Sequence, residues 1–343
     1  IVKNIAIVIL NWNGEEFLRE FLPSVIRYSG DARILVADNG STDGSLDLLH
    51  SEFPTIECIK LVKNYGFAGG YNEALKKVDA EFYLLLNSDI EVTPNWLAPL
   101  LETMQDPTIA GCQPKVLAYH NKTMFEHAGA SGGYLDKNYF PFCRGRIVDL
   151  FEHDEGQYNG KTEIFWATGA ALMIRAKLFH EAGGFDPSFF AHMEEIDLCW
   201  RIKKMGFSFY VNPSSIIYHV GGGTLPYKSP RKTYLNFRNS LFMIVKNHEG
   251  LLLPKLLNRM CLDGIAGIRF LGLLQFNQFS AVFNAHMALY KRLPTLLKQR
   301  KEIRSTAKSA TTTGIYKGSI LWARYVKGVK RFSQLNQRLF LRK

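Results

Sequence analysis

The chain opens on a hydrophobic rhythm that soon repeats. Residues 4–10, NIAIVIL, form a nearly unbroken apolar run, the look of a strand buried on both faces. In the next stretch, EEFLREFLPSVIRY, the residues Phe17, Leu18, Phe21, Leu22 and Val25 recur on one helical face. ARILVAD reads as a second strand. Ser41, Thr42 and Asp43 behind it are capping residues for a helix over GSLDLLHSEF. IECIKLV gives a third strand, NYGFAGGYNEALKKV a glycine loop opening a helix, and YLLLNSDIEV a fourth strand. This β-α-β-α-β-α-β order with short connections predicts an α/β fold with a mostly parallel sheet flanked by helices.

Sheets of this kind bind ligands beyond the carboxyl ends of their strands. Asn11, Asp38, Asn64 and Asp89 all fall at such ends. By itself Asn87-Ser88-Asp89 reads as a turn whose side chains bond their own backbone. Four polar strand ends in a row favour a site, in which a carboxylate holds a divalent cation and phosphate oxygens fill its other positions. Asp38 is placed to accept hydrogen bonds from a base or ribose. The glycines around NYGFAGGYNEA leave backbone NH groups at a helix start, where an anion is favoured. The stretch is neither a Walker loop nor GxGxxG, which argues against a P-loop ATPase or a Rossmann dehydrogenase.

Beyond Glu91 the alternation loses its regularity, and residues 120–160 read as a long loop insertion. ATGAALMIRAKLF is a strand running into a helix, EEIDLCWRIKKMG is a helix with a glycine stop, and FSFYV and SIIYHV are closing strand segments. From Pro226 onward the pattern is helical. Glu194, Glu195 and Asp197 crowd three acids into one helix start, just after the aromatic SFFAHM. The helix dipole tolerates acids there. Carboxylates crowded beside an enclosed wall also have raised pKa values, as a general base requires. Arg201, on about the same face, holds them in place. His219 ends a strand before Gly221, Gly222 and Gly223, and neutral imidazole is a common metal ligand.

The ordered motifs VILNWNG, ADNGSTDGS, NYGFAGGYNEAL, LLLNSDIEV, GAALMIRAKLFHEAGGFDPSFF, EEIDLCWR and YHVGGGT resemble those of a family 2 glycosyltransferase of the GT-A fold. They are most similar to the rhamnosyltransferase-like branch of bacterial cell-surface polysaccharide synthesis. The resemblance covers roughly residues 4–225. It implies a nucleotide-diphosphate sugar donor, bound by Asn11, Asn13, Asp38, Asn64, Gly69, Asn72, Asn87 and Ser88. It implies a divalent cation, Mg2+ or Mn2+, held by Asp89 and His219. Asp89 matches the last acid of the family's DxD motif, degenerate here as Asn-Ser-Asp. Glu195 stands where the family has an Asp as base, so the base is one of Glu195, Glu194 and Asp197. The implied reaction inverts the anomeric centre and delivers the sugar to a glycan or polyprenyl-linked acceptor. The two departures from the family pattern also fit a non-catalytic nucleotide-sugar-binding scaffold. A pyrophosphorylase with a related sheet would need a glycine-rich basic loop after the first strand, where LNWNGEEF has one glycine and no cation.

Charge divides the chain. Residues 251–343 carry 18 Lys and Arg against two acids, a net +16, while residues 1–250 carry a net −5. The expected organisation is a catalytic domain over residues 1–225 and a helical, basic extension over 226–343. LLLPKLLNRMCLDGIAGIRFLGLLQFNQFSAVF is apolar but broken by charges, as in helices lying in a membrane interface, and KQRKEIR and YVKGVKRF add attraction to anionic lipid. No recognised nucleic-acid motif accompanies these cations, so nucleic acid is not an expected partner. The five cysteines make no CxxC pair, so neither a zinc knuckle nor a disulfide framework is suggested, and the compartment reads as reducing. A first strand so near Ile1 predicts no signal peptide, and no run of 18 apolar residues predicts a transmembrane helix. The expected location is cytoplasmic, peripheral on the inner membrane.

Overall fold

A computed structural model describes residues 4–127, 129–221, 229–308 and 313–341. The boundary expected at 225–226 and the second and third glycines of the Gly221–Gly223 run lie outside them.

The first half follows the hydrophobic rhythm. Strands β1 (Ile5–Asn11), β2 (Arg33–Asp38), β3 (Glu57–Lys60) and β4 (Phe82–Asn87) alternate with helices α1 (Glu15–Tyr28), α2 (Ser45–Glu52) and α3 (Gly66–Leu75). The four strands are parallel, in the order β4-β1-β2-β3. Helix α1 buries Leu18, Phe21, Leu22 and Val25 against the sheet. Asp43 works across two helix starts. One carboxylate oxygen accepts from the Ser45 amide of α2 (3.1 Å) and the other from the Glu15 amide of α1 (3.0 Å).

Past β4 the chain runs through β5 (Ile90–Val92), α4 (Leu97–Thr103), β6 (Ile109–Ala118) and β7 (Asn121–Phe125). Residues 133–151 then hold four short strands, β8 (Gly133–Asp136), β9 (Pro141–Cys143), β10 (Arg146–Ile147) and β11 (Leu150–Phe151). The expected loop insertion is therefore corrected to a small antiparallel sheet; strands of two to four residues are too short to show a period.

Strand β12 (Thr162–Ile164), β13 (Ala171–Arg175), helices α5 (Ala176–Glu181) and α6 (Glu194–Lys204), and β14 (Ser208–His219) complete the main sheet. Its order is β12-β14-β6-β13-β4-β1-β2-β3, with β5 on β14 and β7 on β6. Because β13 runs antiparallel to both β4 and β6, this half is mixed rather than parallel. The two expected closing strands form one, β14, with an irregularity between Asn212 and Ile216.

Helices α7 (Pro230–Asn247), α8 (Leu252–Gly272) and α9 (Phe276–Thr306) follow. The last described segment then leaves the helical pattern. Strand β15 (Ile315–Tyr316) pairs in parallel with β8, and helix α10 (Ile320–Tyr325) comes after it. Phe332 and Phe340 pack on Tyr134 and Phe142 of the small sheet. No helix among the described residues is long and apolar enough to cross a membrane.

Candidate active site

Register sets the first wall of the site. Asn11 stands opposite Asp38, and Leu10 opposite Asn87, so three polar strand ends share one level. Asn11 and Asp38 are fully buried. Asn11 donates to Asp38 Oδ1 at 3.4 Å, and Asp38 Oδ2 accepts from the Ser41 amide at 3.0 Å. Asn13 sits in the left-handed region (φ 49°) and ties its turn to Ser41 and Thr42. The turn closes tightly on the polar end: a Cβ at Gly14 would lie 2.5 Å from Asn11 Oδ1 and 3.4 Å from Ser88 Oγ.

The NSD tip folds onto β14. Ile90 pairs with His219, and the Val220 amide donates to the Asp89 carbonyl at 3.1 Å. This brings His219 Nε2 to 3.2 Å from Asp89 Oδ1 and 3.4 Å from Asn87 Nδ2. The other imidazole nitrogen, Nδ1, lies 3.1 Å from Glu126 Oε2. All three members, Asp89, His219 and Glu126, are buried. Burial works against the imidazolium, but the Asp89 and Glu126 carboxylates outweigh it and lift His219 to about 10. Asp89 is lowered in turn: burial would raise it, and the His219 charge wins. Glu91, two residues on, is instead half-exposed and pairs with Lys122 at 2.5 Å.

The second wall is the start of α6. Its approach is strained: Phe190, His192 and Met193 have φ of 65°, 71° and 72°, values that non-glycine residues rarely take. Helix α7 holds this shape. Asn239 Nδ2 donates to the carbonyls of Phe189 (3.0 Å), Ala191 (2.9 Å) and His192 (2.7 Å). Arg238 donates to those of Ser188 (2.8 Å) and Phe189 (2.9 Å).

The three acids of α6 have different surroundings. Asp197 is fully buried; its Oδ2 accepts from Arg201 (2.9 Å) and Lys246 (2.9 Å) and its Oδ1 from Asn247 (2.7 Å). Burial alone would raise it, but Lys246 and Arg201 hold it low. That carboxylate is committed to packing, which removes the reason for counting it among the bases. Glu194 and Glu195 each keep an Oε2 without a hydrogen-bond partner. Burial, with Glu195 beside it, pushes Glu194 well up, and burial lifts Glu195 to about 7.

The two walls meet through three consecutive residues. The Ala170 carbonyl accepts from the Asn87 amide at 2.9 Å, Gly169 precedes it, and Thr168 Oγ1 accepts from the Ala170 amide. A Cβ at Gly169 would stand 3.7 Å from Glu195 Cβ and 3.0 Å from Phe67 Cζ, so the missing side chain leaves Glu195 its room.

Other predicted residues lie apart. Asn64, Gly69 and Asn72 line a cavity of about 550 Å³ between α3 and the Gly183-Gly184 turn, and Asp38 and Asp89 do not line it. Asn72 clamps that turn, accepting from the Phe185 amide (3.0 Å) and donating to its carbonyl (2.7 Å). The anion cradle expected at the α3 start is also corrected. The amides of Phe67 and Ala68 already donate to the Phe190 carbonyl, at 2.7 and 3.2 Å. Asn64 is joined to the main group through Asn39, whose side-chain amide donates to it at 3.2 Å.

Glu126, Asn39, Arg146 and Lys232 were not singled out by sequence. Arg146 is buried with an unpartnered Nε. His127 is brought down to about 3 by burial and then by Arg146, and His192 to about 4 by burial and then by Lys232. Arg146 and Lys232 thus bring positive charge to the surroundings of His127, His192 and Glu126. A groove of about 530 Å³ lies between the starts of α7 and α9, lined by Arg231, Tyr234, Asn277, Ser280 and Asn284. Arg231 stacks 4.9 Å from the Phe190 ring, so this groove adjoins the strained loop.

Comparison with known proteins agrees with this architecture. Over 237 residues the chain is 23% identical to N-acetylglucosaminyl-diphospho-decaprenol L-rhamnosyltransferase of Mycobacterium tuberculosis, covering 64% of this chain and 77% of that one. Its fold is similar to the mannosyltransferase PcManGT of Pyrobaculum calidifontis, solved with GDP-Man and Mn2+ (TM-score 0.51, 14% identity, 89% of this chain and 86% of that one). TarS of S. aureus, residues 1–349, is similar too (TM-score 0.53, 15% identity, 88% and 86%). The model of glycosyl transferase family 2 matches residues 6–183, more than half of the chain. With the GT-A architecture, that match makes the chain a glycosyltransferase, a member of glycosyl transferase family 2.

Proposed function

We propose that the protein transfers a sugar, with inversion, from a nucleoside-diphosphate donor to a hydroxyl of a lipid-linked glycan, and that Glu195 is its base. One observation carries the assignment: Glu195 has an unpartnered Oε2 and a pKa near 7, and it borders the Gly169-Ala170 backbone that holds Asn87. A base at that pKa is half ionised at neutral pH and strong enough to accept a hydroxyl proton as the bond forms. Asp38, Asn11 and Asn13 form the nucleoside side, with Asn87 and Ser88 toward the diphosphate.

The donor set fits a divalent cation. Asp89 and His219 Nε2 converge within 3.2 Å; His219 would release its Nε2 proton on ligation, and the two residues would then hold Mg2+ or Mn2+ beside the diphosphate. When bound, the cation neutralises the charge that develops on the departing diphosphate. Glu126 orients the imidazole from its far nitrogen, as outer partners of histidine ligands do. Glu195 takes the acceptor proton on Oε2. The freed oxygen pair attacks the anomeric carbon on the face opposite the diphosphate, and the electrons of the breaking C–O bond leave with the phosphate oxygen.

Arg146 and Lys232 supply positive charge for an acceptor that itself carries phosphate, and the polar groove between α7 and α9 gives its sugar an approach. The M. tuberculosis relative, whose name specifies a diphospho-decaprenol acceptor, supports this choice. Under this reading residues 1–225 hold the chemistry, and the basic extension brings the enzyme to the cytoplasmic membrane surface. The test is a transfer assay over a panel of nucleoside-diphosphate sugars with Mn2+ and a synthetic polyprenyl-diphosphate-linked sugar. Transfer by the native protein, lost in Glu195→Gln with donor binding kept, supports the reading. Full transfer by Glu195→Gln moves the base elsewhere.

A further inference from the structure

Helix α8 is built inside out. Its buried face carries Leu256, Arg259, Asp263 and Gly267. There Arg259 Nε meets Asp263 Oδ1 at 2.9 Å, His286 approaches Asp263 at 3.6 Å, and the guanidinium lies 4.0 Å over the Phe140 ring. The outward face carries Leu253, Leu257, Ile265 and Ile268, which are 67%, 53%, 64% and 69% exposed. At 3.6 residues per turn these four fall within about 120° of the circumference. A helix of a water-soluble surface has the opposite arrangement.

The apolar surface continues beyond α8. Leu273 and Leu274, in the short connection, and Phe276, at the start of α9, are all more than half exposed. Along α9, Phe283, Tyr290 and Leu297 follow Phe276 at intervals of seven residues and are exposed too, so they form one stripe. Scattered exposed leucines are ordinary; ordered apolar stripes on two helices that pack together mark a contact surface.

Charge selects the partner. From Leu251 to Lys301 the only acid is Asp263, and it is buried and paired. Exposed Arg269, Lys291, Arg292, Lys298 and Lys301 stand on the same two helices. An apolar face rimmed by cations, with no exposed carboxylate over fifty residues, complements an anionic lipid interface. There the apolar residues enter the acyl boundary and the cations meet headgroups.

We infer that the outward face of the α8–α9 hairpin seats the enzyme in the interface of an anionic bilayer. The inference deepens the membrane element of the function proposed above, and its test needs no transfer. Full-length protein is sedimented with vesicles of phosphatidylcholine containing 30% phosphatidylglycerol and with phosphatidylcholine alone. The expected result is binding to the anionic vesicles, at least about tenfold weaker on the neutral ones and in high salt. Leu253→Ser, Leu257→Ser, Ile265→Ser and Ile268→Ser combined should abolish it with the melting temperature kept, because these side chains are already exposed. Phe276→Trp should show a blue-shifted emission on adding anionic vesicles. Absence of binding by the native protein, or equal binding by the quadruple variant, overturns the inference. So does a native dimer that becomes monomeric in that variant without any vesicle binding. Vesicle binding and turnover of the soluble donor are read separately, so loss of one leaves the other interpretable.

Discussion

The side-chain amide of Asn239 donates to the main-chain carbonyl of His192 at 2.7 Å, across 47 residues of sequence. The same amide reaches Phe189 and Ala191, so one side chain of α7 fixes the strained loop that aims α6 into the site. In Asn239→Ala three carbonyls lose this donor, and stability should fall by about 1–3 kcal/mol. Because a misplacement of about 1 Å near the chemistry can cost about a hundredfold, kcat should drop on that order. The donor KM should stay near its native value, since Asp38 and Asn11 are untouched. Thermal melts and steady-state kinetics check both; an unchanged kcat would show that α6 is aimed without the clamp.

The pH dependence follows from Glu195. With Glu195 as the proposed base, the active form is its carboxylate, so transfer should rise with pH and reach half its maximum near 7. Stability moves the other way. The fold keeps the Glu195 proton up to about 7, whereas the unfolded chain releases it near the ordinary 4.5. Native stability therefore falls as pH rises through that window, and Glu194, raised in the same direction, adds to the fall. Glu195→Gln should lose transfer and, compared with the native protein, gain stability at pH 8 relative to pH 5. Denaturant melts at the two pH values measure this.

Asp89→Ala should abolish transfer and also remove the thermal stabilisation that Mn2+ with a nucleoside diphosphate gives the native protein. If the variant keeps that thermal shift, the cation is held elsewhere. Glu126→Gln should retain some transfer but bind Mn2+ about 10- to 100-fold more weakly, by calorimetry, because His219 loses its orienting partner.

Asp197 should behave as a structural residue. Asp197→Asn leaves Lys246 and Arg201 buried with one carboxylate fewer, at a cost of about 3–5 kcal/mol near neutral pH. The native carboxyls of Asp197 and Asp186 are held low, Asp186 despite its burial by Lys246. Their contribution is complete above the ordinary carboxylate value of 3.8 and is lost as pH falls below it. Acid unfolding should accordingly be shallower in Asp197→Asn. A melting temperature unchanged by the substitution would remove this role.

What sequence made legible was local. Strand β1, the helical face of α1, the polar strand ends at Asn11 and Asp38 and the Asp89 turn just past β4 follow from periods of a few residues. Glu126 was not visible, because it reaches His219 through the pairing of β7 on β6 and of β6 on β14. Asp197 looked like its two neighbours in sequence; besides Arg201 one turn on, Lys246 and Asn247, some fifty residues away, set it apart. Asn72 sits in a motif of the family, yet its amide serves the Phe185 backbone. Helix α8 showed its apolar and charged residues in sequence, but only the packing reveals which of them face outward.

The pairing of β15 with β8 also governs how the chain is made. The Asp136 carboxylate at the end of β8 accepts from the Ile320 amide, 184 residues further on, and Phe332 and Phe340 close over the same sheet. During synthesis, residues 133–151 leave the ribosome long before their partner strand exists. Tyr134 and Phe142 then wait uncovered through the whole of α7, α8 and α9, and contacts so distant in sequence are slow to form. A message cut short before residue 315 would yield a protein with every proposed site residue present and its small sheet open, a substrate for chaperones and proteases rather than a smaller enzyme.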